Sequence, residues 1–252
     1  MQNKIVMITG ASSGIGKACA EQFAGRGCKL ILAARRKDRL EELASTLPAE
    51  CLTIELDVRD REKVNSTIAN LPEQWQNIEI LVNNAGLSRG LEPLQEGDHT
   101  DWEEMIDTNV KGLLWITRAI LPGMIERDNG HVINIGSVSG HDVYPGGAVY
   151  CSTKYAVHAI TTGIRLDLKG TKVRSSTVDP GMVETEFSLV RFHGDNKKAD
   201  PVYNQYPPLQ PCDVADAVLF CATRPSHVNI GELILSPTDQ KSVTISNPRG
   251  LE

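Results

Sequence analysis

Short, almost continuous apolar runs alternate along the chain with longer segments in which apolar residues recur every three or four positions. The first pattern is typical of parallel strands buried on both faces, and the second is typical of amphipathic helices. The helical spacing is clearest in Gly14–Arg26, Arg39–Leu47, Val149–Leu168 and Asp213–Thr223. The predicted strands are Lys4–Thr9, Lys29–Ala33, Cys51–Leu56, Ile78–Val82, His131–Gly136, Lys172–Val178 and Leu233–Ser236.

This alternation predicts an α/β protein with a doubly wound parallel sheet covered by helices on both faces. The chain has 252 residues, and open α/β sheets commonly reach this length as one unit, so we expect a single domain over residues 1–252. Only residues 182–210 interrupt the alternation, with many charged residues, glycines, prolines and tyrosines. A long insertion of this kind is usually a lid or a binding loop. We therefore predict a substrate loop there, with a disordered surface segment as the alternative.

A glycine-rich turn, Thr9–Gly16, joins the first predicted strand to a helix. Glycines allow backbone N–H groups to approach a pyrophosphate, and the N-terminus of the helix adds partial positive charge. The spacing Gly-x-x-x-Gly-x-Gly differs from the common Gly-x-Gly-x-x-Gly, but its place between strand and helix is the one that a dinucleotide site requires. A tight turn without a ligand is the alternative. We predict a Rossmann fold in which the cofactor contacts Gly10, Ser12, Ser13, Gly14, Ile15 and Gly16.

The end of the second predicted strand distinguishes between the two nicotinamide dinucleotides. NAD sites place a carboxylate here to hold the ribose 2′-hydroxyl, but this chain continues Ala33-Ala34-Arg35-Arg36. Guanidinium groups bind a 2′-phosphate through charge-assisted hydrogen bonds, each worth about 1.5–3 kcal/mol. We therefore predict NADP(H) as the cofactor, held by Arg35 and Arg36. Two solvated arginines at a helix start are the alternative.

Tyr150 and Lys154 lie four residues apart in a predicted helix, and this spacing places both on one face. A tyrosine titrates near 10, and a neighbouring ammonium group would lower that pKa toward the range useful for proton transfer. Ser137 follows the fifth predicted strand, where open α/β sheets bind ligands, and its hydroxyl could hold a substrate oxygen. Asn109 could orient a water joined to the lysine. We predict Asn109, Ser137, Tyr150 and Lys154 as catalytic residues, and no metal ion is required.

Together these motifs resemble the short-chain dehydrogenase/reductase family. The resemblance extends over nearly the whole chain and includes Thr9–Gly16, Asp57-Val58, Asn83–Gly86, Asn109, Ser137, Tyr150-x-x-x-Lys154 and Pro180–Thr185. It implies that Asp57 contacts adenine, that Tyr150 and Lys154 meet the nicotinamide ribose, and that Val183 and Thr185 contact the carboxamide. The further cofactor residues that it implies are Val58, Asn83, Ala85, Gly86, Pro180 and Gly181.

A narrower resemblance concerns the substrate. Glu184–Phe192, Gly194-Asp195, Tyr203 and Asp142-x-Tyr144-Pro145 are similar to NADP-dependent 3-hydroxy acid dehydrogenases, which also oxidise serine and allo-threonine. A hydroxy acid needs a cation for its carboxylate, and we predict Arg191 for this role beside Ser137 and Tyr150. A surface ion pair is the alternative for Arg191, and for Arg89 it is favoured. Two other functions stay open: a carbonyl reductase for neutral ketones, diketones or aldehydes, and an NADP(H)-binding sensor without turnover.

Composition narrows the partners. With 26 basic and 32 acidic side chains the net charge is −6, which argues against nucleic acid or anionic lipid as a partner. We expect no membrane span, no leader peptide and a cytoplasmic location. The six cysteines form no Cys-x-x-Cys pair, so reduced thiols are expected. The family resemblance implies a homotetramer or homodimer, for which Ala156, Ala159 and Gly163 would permit close helix approach; the same residues could instead pack on the chain's own sheet.

Overall fold

The computed structural model describes residues 1–246. Seven strands form one sheet in the order β3-β2-β1-β4-β5-β6-β7, and every neighbouring pair is parallel. All seven predicted strands are confirmed, with ends that differ by one or two residues. Their bounds are β1 Ile5–Thr9, β2 Lys29–Ala34, β3 Cys51–Glu55, β4 Ile78–Asn83, β5 His131–Ile135, β6 Arg174–Pro180 and β7 Glu232–Leu235.

Helices follow the strands and cover both faces of the sheet. Their bounds are α1 Gly14–Ala24, α2 Lys37–Thr46, α3 Arg61–Ala69, α4 His99–Ile106, α5 Leu113–Glu126, α6 Ala148–Asp167, α7 Phe187–Arg191, α8 Asn196–Ala199 and α9 Pro211–Ala222. A π-helical turn, Asp107–Gly112, lies between α4 and α5. Within residues 1–246 none of these helices has the length and apolar character that a membrane crossing needs.

The apolar runs are continuous because each strand is buried on both of its faces. Val6 and Ile8 of β1 belong to the core beneath α1 and α9, whereas Ile5 and Met7 belong to the opposite core beneath α3 and α5. Successive side chains of a strand point to opposite faces of the sheet, so a continuous apolar run contributes side chains to both cores. The two cores confirm the doubly wound architecture.

The order of the strands places the ligand site. The chain continues from β1 to β2, which pairs with β1 on one side, whereas β4 pairs with β1 on the other side. The carboxyl ends of β1 and β4 therefore border the crevice at the point where the strand order reverses, which is where open α/β sheets bind ligands.

The predicted substrate loop is more regular than its composition suggested. Residues 182–210 contain α7, α8 and a 3₁₀ turn, Asp200–Asn204. The two ends of the segment are joined, because Glu184 donates its backbone N–H to Leu209 and Leu209 donates to Met182, both at 2.9 Å. The alternative of a disordered segment is wrong, and we refer to residues 182–210 as the lid.

Candidate active site

The glycine-rich turn has the backbone that a dinucleotide cradle needs. Gly10 and Gly14 have φ values of 65° and 53°, in the left-handed region that glycine adopts most easily. A Cβ at Gly10 would lie 2.9 Å from the Cα of Ala85. The loop therefore lies directly against the segment after β4, with the N-terminus of the 11-residue α1 facing the crevice. This geometry fits a pyrophosphate held by backbone N–H groups.

Asn84, which the sequence analysis did not select, fastens the phosphate loop. Its side-chain amide donates to the carbonyl oxygens of Thr9 and Gly10 at 3.0 and 3.1 Å. The predicted Asn83 points inward instead and donates to Thr117 and Asn134 at 2.8 and 2.9 Å. Because side chains alternate along a strand, adjacent positions at its end face opposite ways. The alternation of side chains along a strand could therefore have predicted that Asn83 and Asn84 point in opposite directions.

The two predicted arginines occupy different positions. Arg36 reaches the phosphate loop and donates from Nη2 to the hydroxyls of Ser12 and Ser13 at 3.1 and 2.8 Å. Arg35 is more exposed, at 56%, and lies 3.7 Å from Glu104. Arg36 is thus the guanidinium that borders the cradle, while Arg35 lies on its outer side.

Two further residues extend this charged site. Glu186, at the start of α7, accepts hydrogen bonds from Arg36 at 2.8 Å and from Arg39 at 2.7 Å. The hydrogen bond from Arg39, opposed by burial and reinforced by Arg36, lowers the pKa of Glu186 to about 2. A carboxylate of the lid therefore lies between two arginines that suit a 2′-phosphate. Arg39 was not predicted as part of this site, although it lies four residues beyond Arg35 in the sequence.

The predicted proton-transfer residues are brought together. The Ser137 side chain lies close enough to the Tyr150 phenol to favour its ionised form, and its hydroxyl accepts a hydrogen bond from the backbone of Ser139 at 3.1 Å. Lys154 Nζ donates to the carbonyl of Ile135 at 2.9 Å and lies 5.9 Å from the centre of the Tyr150 ring. All three predicted side chains are buried.

Burial controls the acidity of this group. It raises the pKa of the Tyr150 phenol well above its ordinary value; Tyr144 adds to the increase, while Arg191 and Ser137 oppose it. Burial also lowers the pKa of Lys154 to about 8, against the opposing charge of Asp179. The protein's own groups therefore do not produce the lowered Tyr150 pKa that the sequence led us to expect from Lys154. Arg191 is the cation that favours the phenolate.

Asn109 lies in the π-helical turn, a local distortion that is frequent at functional sites. Its side-chain amide donates to the Leu87 carbonyl at 2.8 Å and to the Thr153 hydroxyl at 3.0 Å, and its oxygen accepts from the Leu87 N–H at 2.8 Å. A Cβ at Gly86 would lie 3.2 Å from that oxygen and 3.8 Å from Lys154 Nζ. Glycine at position 86 therefore keeps the space between Asn109 and Lys154 free of a side chain. The water that we expect to connect these two residues remains a prediction.

Arg191 enters the active site from the lid. Its guanidinium carbon lies 5.5 Å from the centre of the Tyr150 ring and 5.2 Å from that of Phe187. Its nitrogens donate to the Ser88 and Tyr144 hydroxyls at 3.1 and 2.8 Å. These partners are neutral, so a full positive charge stands beside the phenol.

Arg89 has a structural role, as the sequence analysis favoured. It donates to Glu104 at 2.7 Å and to the carbonyl of Val190 in the lid. Asp57 is likewise bound locally, since it accepts three hydrogen bonds from the Arg59 side chain at 2.6–3.0 Å. Burial alone would raise the pKa of Asp57, but the hydrogen bonds from Arg59 outweigh this effect and lower the pKa below its ordinary value.

The remaining predicted cofactor residues line the crevice or its edge. A Cβ at Gly14 would lie 3.1 Å from the Thr185 side chain, so the lid lies over the phosphate loop. Val183 forms an isolated bridge with Leu209. Gly181, directly after Pro180 at the end of β6, donates to Leu235 at 2.7 Å. Val58 is buried, and Gly16 packs against the carbonyl of Gly10. Their contacts with a cofactor stay predictions.

The fold and this constellation of side chains define the class of protein. The family model for short chain dehydrogenases matches residues 4–195, and the chain belongs to that family. It is an oxidoreductase of the short-chain dehydrogenase/reductase type.

Individual relatives agree with this assignment. The chain is 47% identical over 243 residues to the NADP-dependent 3-hydroxy acid dehydrogenase YdfG of Salmonella typhi, covering 96% of this chain and 98% of the relative. It is 48% identical over 239 residues to sulfoacetaldehyde reductase 2 of Chromohalobacter salexigens, covering 94% and 95%. The structure of the closed form of serine dehydrogenase complexed with NADP+ matches with a TM-score of 0.93 and 46% identity, covering 98% of this chain and all of the other. NADP(H) is the cofactor, and the arginines beside the phosphate loop fit its 2′-phosphate.

Proposed function

We propose that this enzyme transfers a hydride between NADP(H) and the hydroxyl-bearing carbon of a small 3-hydroxy acid. The class includes serine, allo-threonine, 3-hydroxybutyrate and 3-hydroxypropionate. The observation that carries the proposal is the position of Arg191, whose guanidinium lies beside Tyr150 with hydroxyl partners and no carboxylate among its hydrogen bonds within residues 1–246.

In this proposal each catalytic side chain has a defined task. Tyr150 removes the substrate hydroxyl proton in the oxidative direction and returns it in the reductive direction, while Ser137 holds the reacting oxygen. When bound, NADP(H) supplies or accepts the hydride, and its oxidised nicotinamide adds positive charge. Lys154 holds the ribose, and Asn109 with a water connects the lysine to solvent.

Arg191 would hold the substrate's carboxylate and so orient its hydroxyl toward Tyr150. A guanidinium fork binds a carboxylate through two parallel hydrogen bonds, which fixes both position and direction. The relatives named for 3-hydroxy acids, serine and sulfoacetaldehyde all act on small molecules that carry an anionic or zwitterionic group. A common anion site beside the reacting carbon is consistent with those names.

The experiment compares the wild type with Arg191→Gln, using Arg26→Gln at an exposed position as the matched control. NADP+ reduction is followed for 3-hydroxy acids, for the sulfonate isethionate and for neutral alcohols, and repeated with NAD+. Arg191 also favours the Tyr150 phenolate, so neutral alcohols should lose some activity. Loss of the two charge-assisted bonds to the carboxylate should lower kcat/KM on acids by about 10²-fold or more beyond that shared loss. Equal losses on acids and neutral alcohols would refute the carboxylate role and favour the neutral carbonyl reductase.

We also propose that the enzyme works as a cytoplasmic homotetramer or homodimer. The small residues Ala156, Ala159 and Gly163 share one face of α6, and Ala156 is partly exposed. Ala159 is exposed, and a Cβ at Gly163 would meet no atom within 4 Å among the described residues. Leu166, farther along the same helix face, is 71% exposed. This face supports the expectation of close helix approach between subunits.

A further inference from the structure

Four side chains that can bind a metal ion meet outside the catalytic group. They are His141, His158, Asp179 and Glu232, and one ligand atom from each lies within 4.8 Å of all the others. His141 Nε2 is 2.7 Å from Asp179 Oδ2 and 3.3 Å from Glu232 Oε1. His158 Nδ1 is 3.6 Å from the other oxygen of Glu232. No metal-binding motif surrounds His141 or His158 in the sequence, and the two histidines come from separate elements.

The four elements hold the cluster on a rigid frame. Asp179 lies in β6 and Glu232 in β7, and Thr177 of β6 is the register partner of Glu232. Asp179 is two residues beyond Thr177, so both carboxylates project from the same face of the sheet. His158 comes from α6, and His141 follows the 3₁₀ turn Val138–Gly140.

The donor set fits a particular class of ion. Imidazole and carboxylate together suit Zn²⁺, with bonds of about 2.0–2.2 Å in a tetrahedral arrangement. Such a site separates its ligand atoms by about 3.4 Å. Three contacts in the cluster, at 2.7, 3.3 and 3.6 Å, lie around that value, and all four ligand atoms lie within 4.8 Å of one another. Side-chain adjustments of about 1 Å would bring them to the tetrahedral spacing.

An ion pair between a protonated His141 and the carboxylates is the competing interpretation. It does not account for His158, whose Nδ1 is buried and makes no hydrogen bond among the described residues. The 3.6 Å to Glu232 exceeds hydrogen-bond length. A buried nitrogen facing a carboxylate without a hydrogen bond is the arrangement expected of a metal ligand.

Asp179 also has the outer contact typical of a ligand. It is 1% exposed, and its second oxygen accepts a hydrogen bond from the Thr177 hydroxyl. Hydrogen bonds of this kind orient metal-binding carboxylates, and losing one typically costs 10–100-fold in affinity.

We propose that His141, His158, Asp179 and Glu232 form a zinc site separate from the NADP(H) and substrate site. The bound ion ties β6, β7 and α6 to the segment that follows Ser137, since His141 is four residues beyond that serine. Its function is structural: it fixes the wall of the sheet behind the proton-transfer residues. The site is independent of the proposed substrate, so either proposal can fail alone.

The test is calorimetric titration of metal-stripped full-length protein with ZnCl₂, without nucleotide because phosphates bind the ion. We expect one ion per chain. Removal of a direct ligand in His141→Ala or His158→Ala should weaken binding by more than the roughly 10–100-fold expected for an outer contact. The matched control is His227→Ala, at an exposed position outside the cluster. Absence of binding to the wild type, or unchanged binding in both cluster variants, would overturn the site.

Two additions keep the test decisive. Cys212 is an exposed thiol, so Cys212→Ser must retain the full affinity, and Co²⁺ bound in place of Zn²⁺ must lack a thiolate charge-transfer band. Loss of binding in Cys212→Ser would overturn the proposal in favour of a thiol site. If a histidine variant does not fold, Glu232→Gln replaces it, because Glu232 is partly exposed. This variant must also weaken the binding of Zn²⁺.

Discussion

At the scale of single residues, the candidate active site combines a buried phenol, a buried amine and the partly buried guanidinium of Arg191 from the lid. Tyr150 has its phenolic pKa raised by burial, so the isolated protein strongly favours the protonated form. A cationic neighbour is therefore needed for proton removal, and Arg191 lies where it can serve. The sequence predicted that Ser137, Tyr150 and Lys154 lie together, but it did not predict the influence of Arg191 on the phenol, because Arg191 lies 41 positions from Tyr150 in the chain.

The first prediction concerns Tyr150 itself. Tyr150→Phe keeps the ring packed against Phe187, 5.6 Å between centres, and removes only the proton carrier. Turnover should fall by about 10²–10⁴-fold, the usual contribution of general acid–base catalysis, while NADPH binding measured by fluorescence stays unchanged. Tyr155→Phe, on the exposed side of the same helix, is the control. Wild-type turnover in Tyr150→Phe would remove the tyrosine from the mechanism.

The second prediction concerns Lys154 and stability against pH. Its pKa of about 8 in the folded chain, against 10.5 when unfolded, means that the unfolded state binds more protons between these values. The contribution of Lys154 to stability must therefore rise with pH across that window, by about 3 kcal/mol, and stay level below pH 8. Buried thiols such as Cys19, whose pKa burial raises, act in the opposite direction above pH 9 in both proteins. Urea unfolding of the two apoproteins at several pH values should therefore show the rise as the difference between the wild type and Lys154→Met. Parallel pH profiles for the two proteins would contradict the lowered pKa.

At the scale of elements, the sequence predicted the strands and helices that periodic burial produces. It did not predict the elements of the lid, which are positioned by contacts between distant segments. Strands such as Ile5–Thr9 were readable because both of their faces are buried. The lid helix α7 has five residues and too few turns to show a period. It is positioned by Arg89 and Gly90, which bond to the carbonyls of Val190 and Arg191. Those partners lie about a hundred residues apart, beyond any local pattern.

The third prediction follows from the contact between the lid and the cofactor site. Glu186 joins α7 to Arg36 and Arg39, and its carboxylate would compete with and repel a 2′-phosphate. Glu186→Gln should therefore tighten NADP+ binding, by about tenfold for one charge-assisted bond, and leave NAD+ binding unchanged. Arg36→Ala should act in the opposite sense on NADP+ alone. Calorimetric titration with both nucleotides measures this, and an equal change for NAD+ would show that Glu186 acts on the lid in general.

At the scale of the whole molecule, the proposed association of subunits through the α6 face can be tested at one exposed position. Ala159 is exposed in the single chain, so an arginine there costs the folded monomer little and would block close packing of two helices. If subunits associate through this face, Ala159→Arg should reduce the mass measured by light scattering to that of a smaller oligomer or monomer, with circular dichroism unchanged. Ser45→Arg, on the exposed side of α2, should keep the wild-type mass. An Ala159→Arg protein with the same mass as the wild type would move the interface to another face, and a monomeric wild type would remove the oligomer altogether.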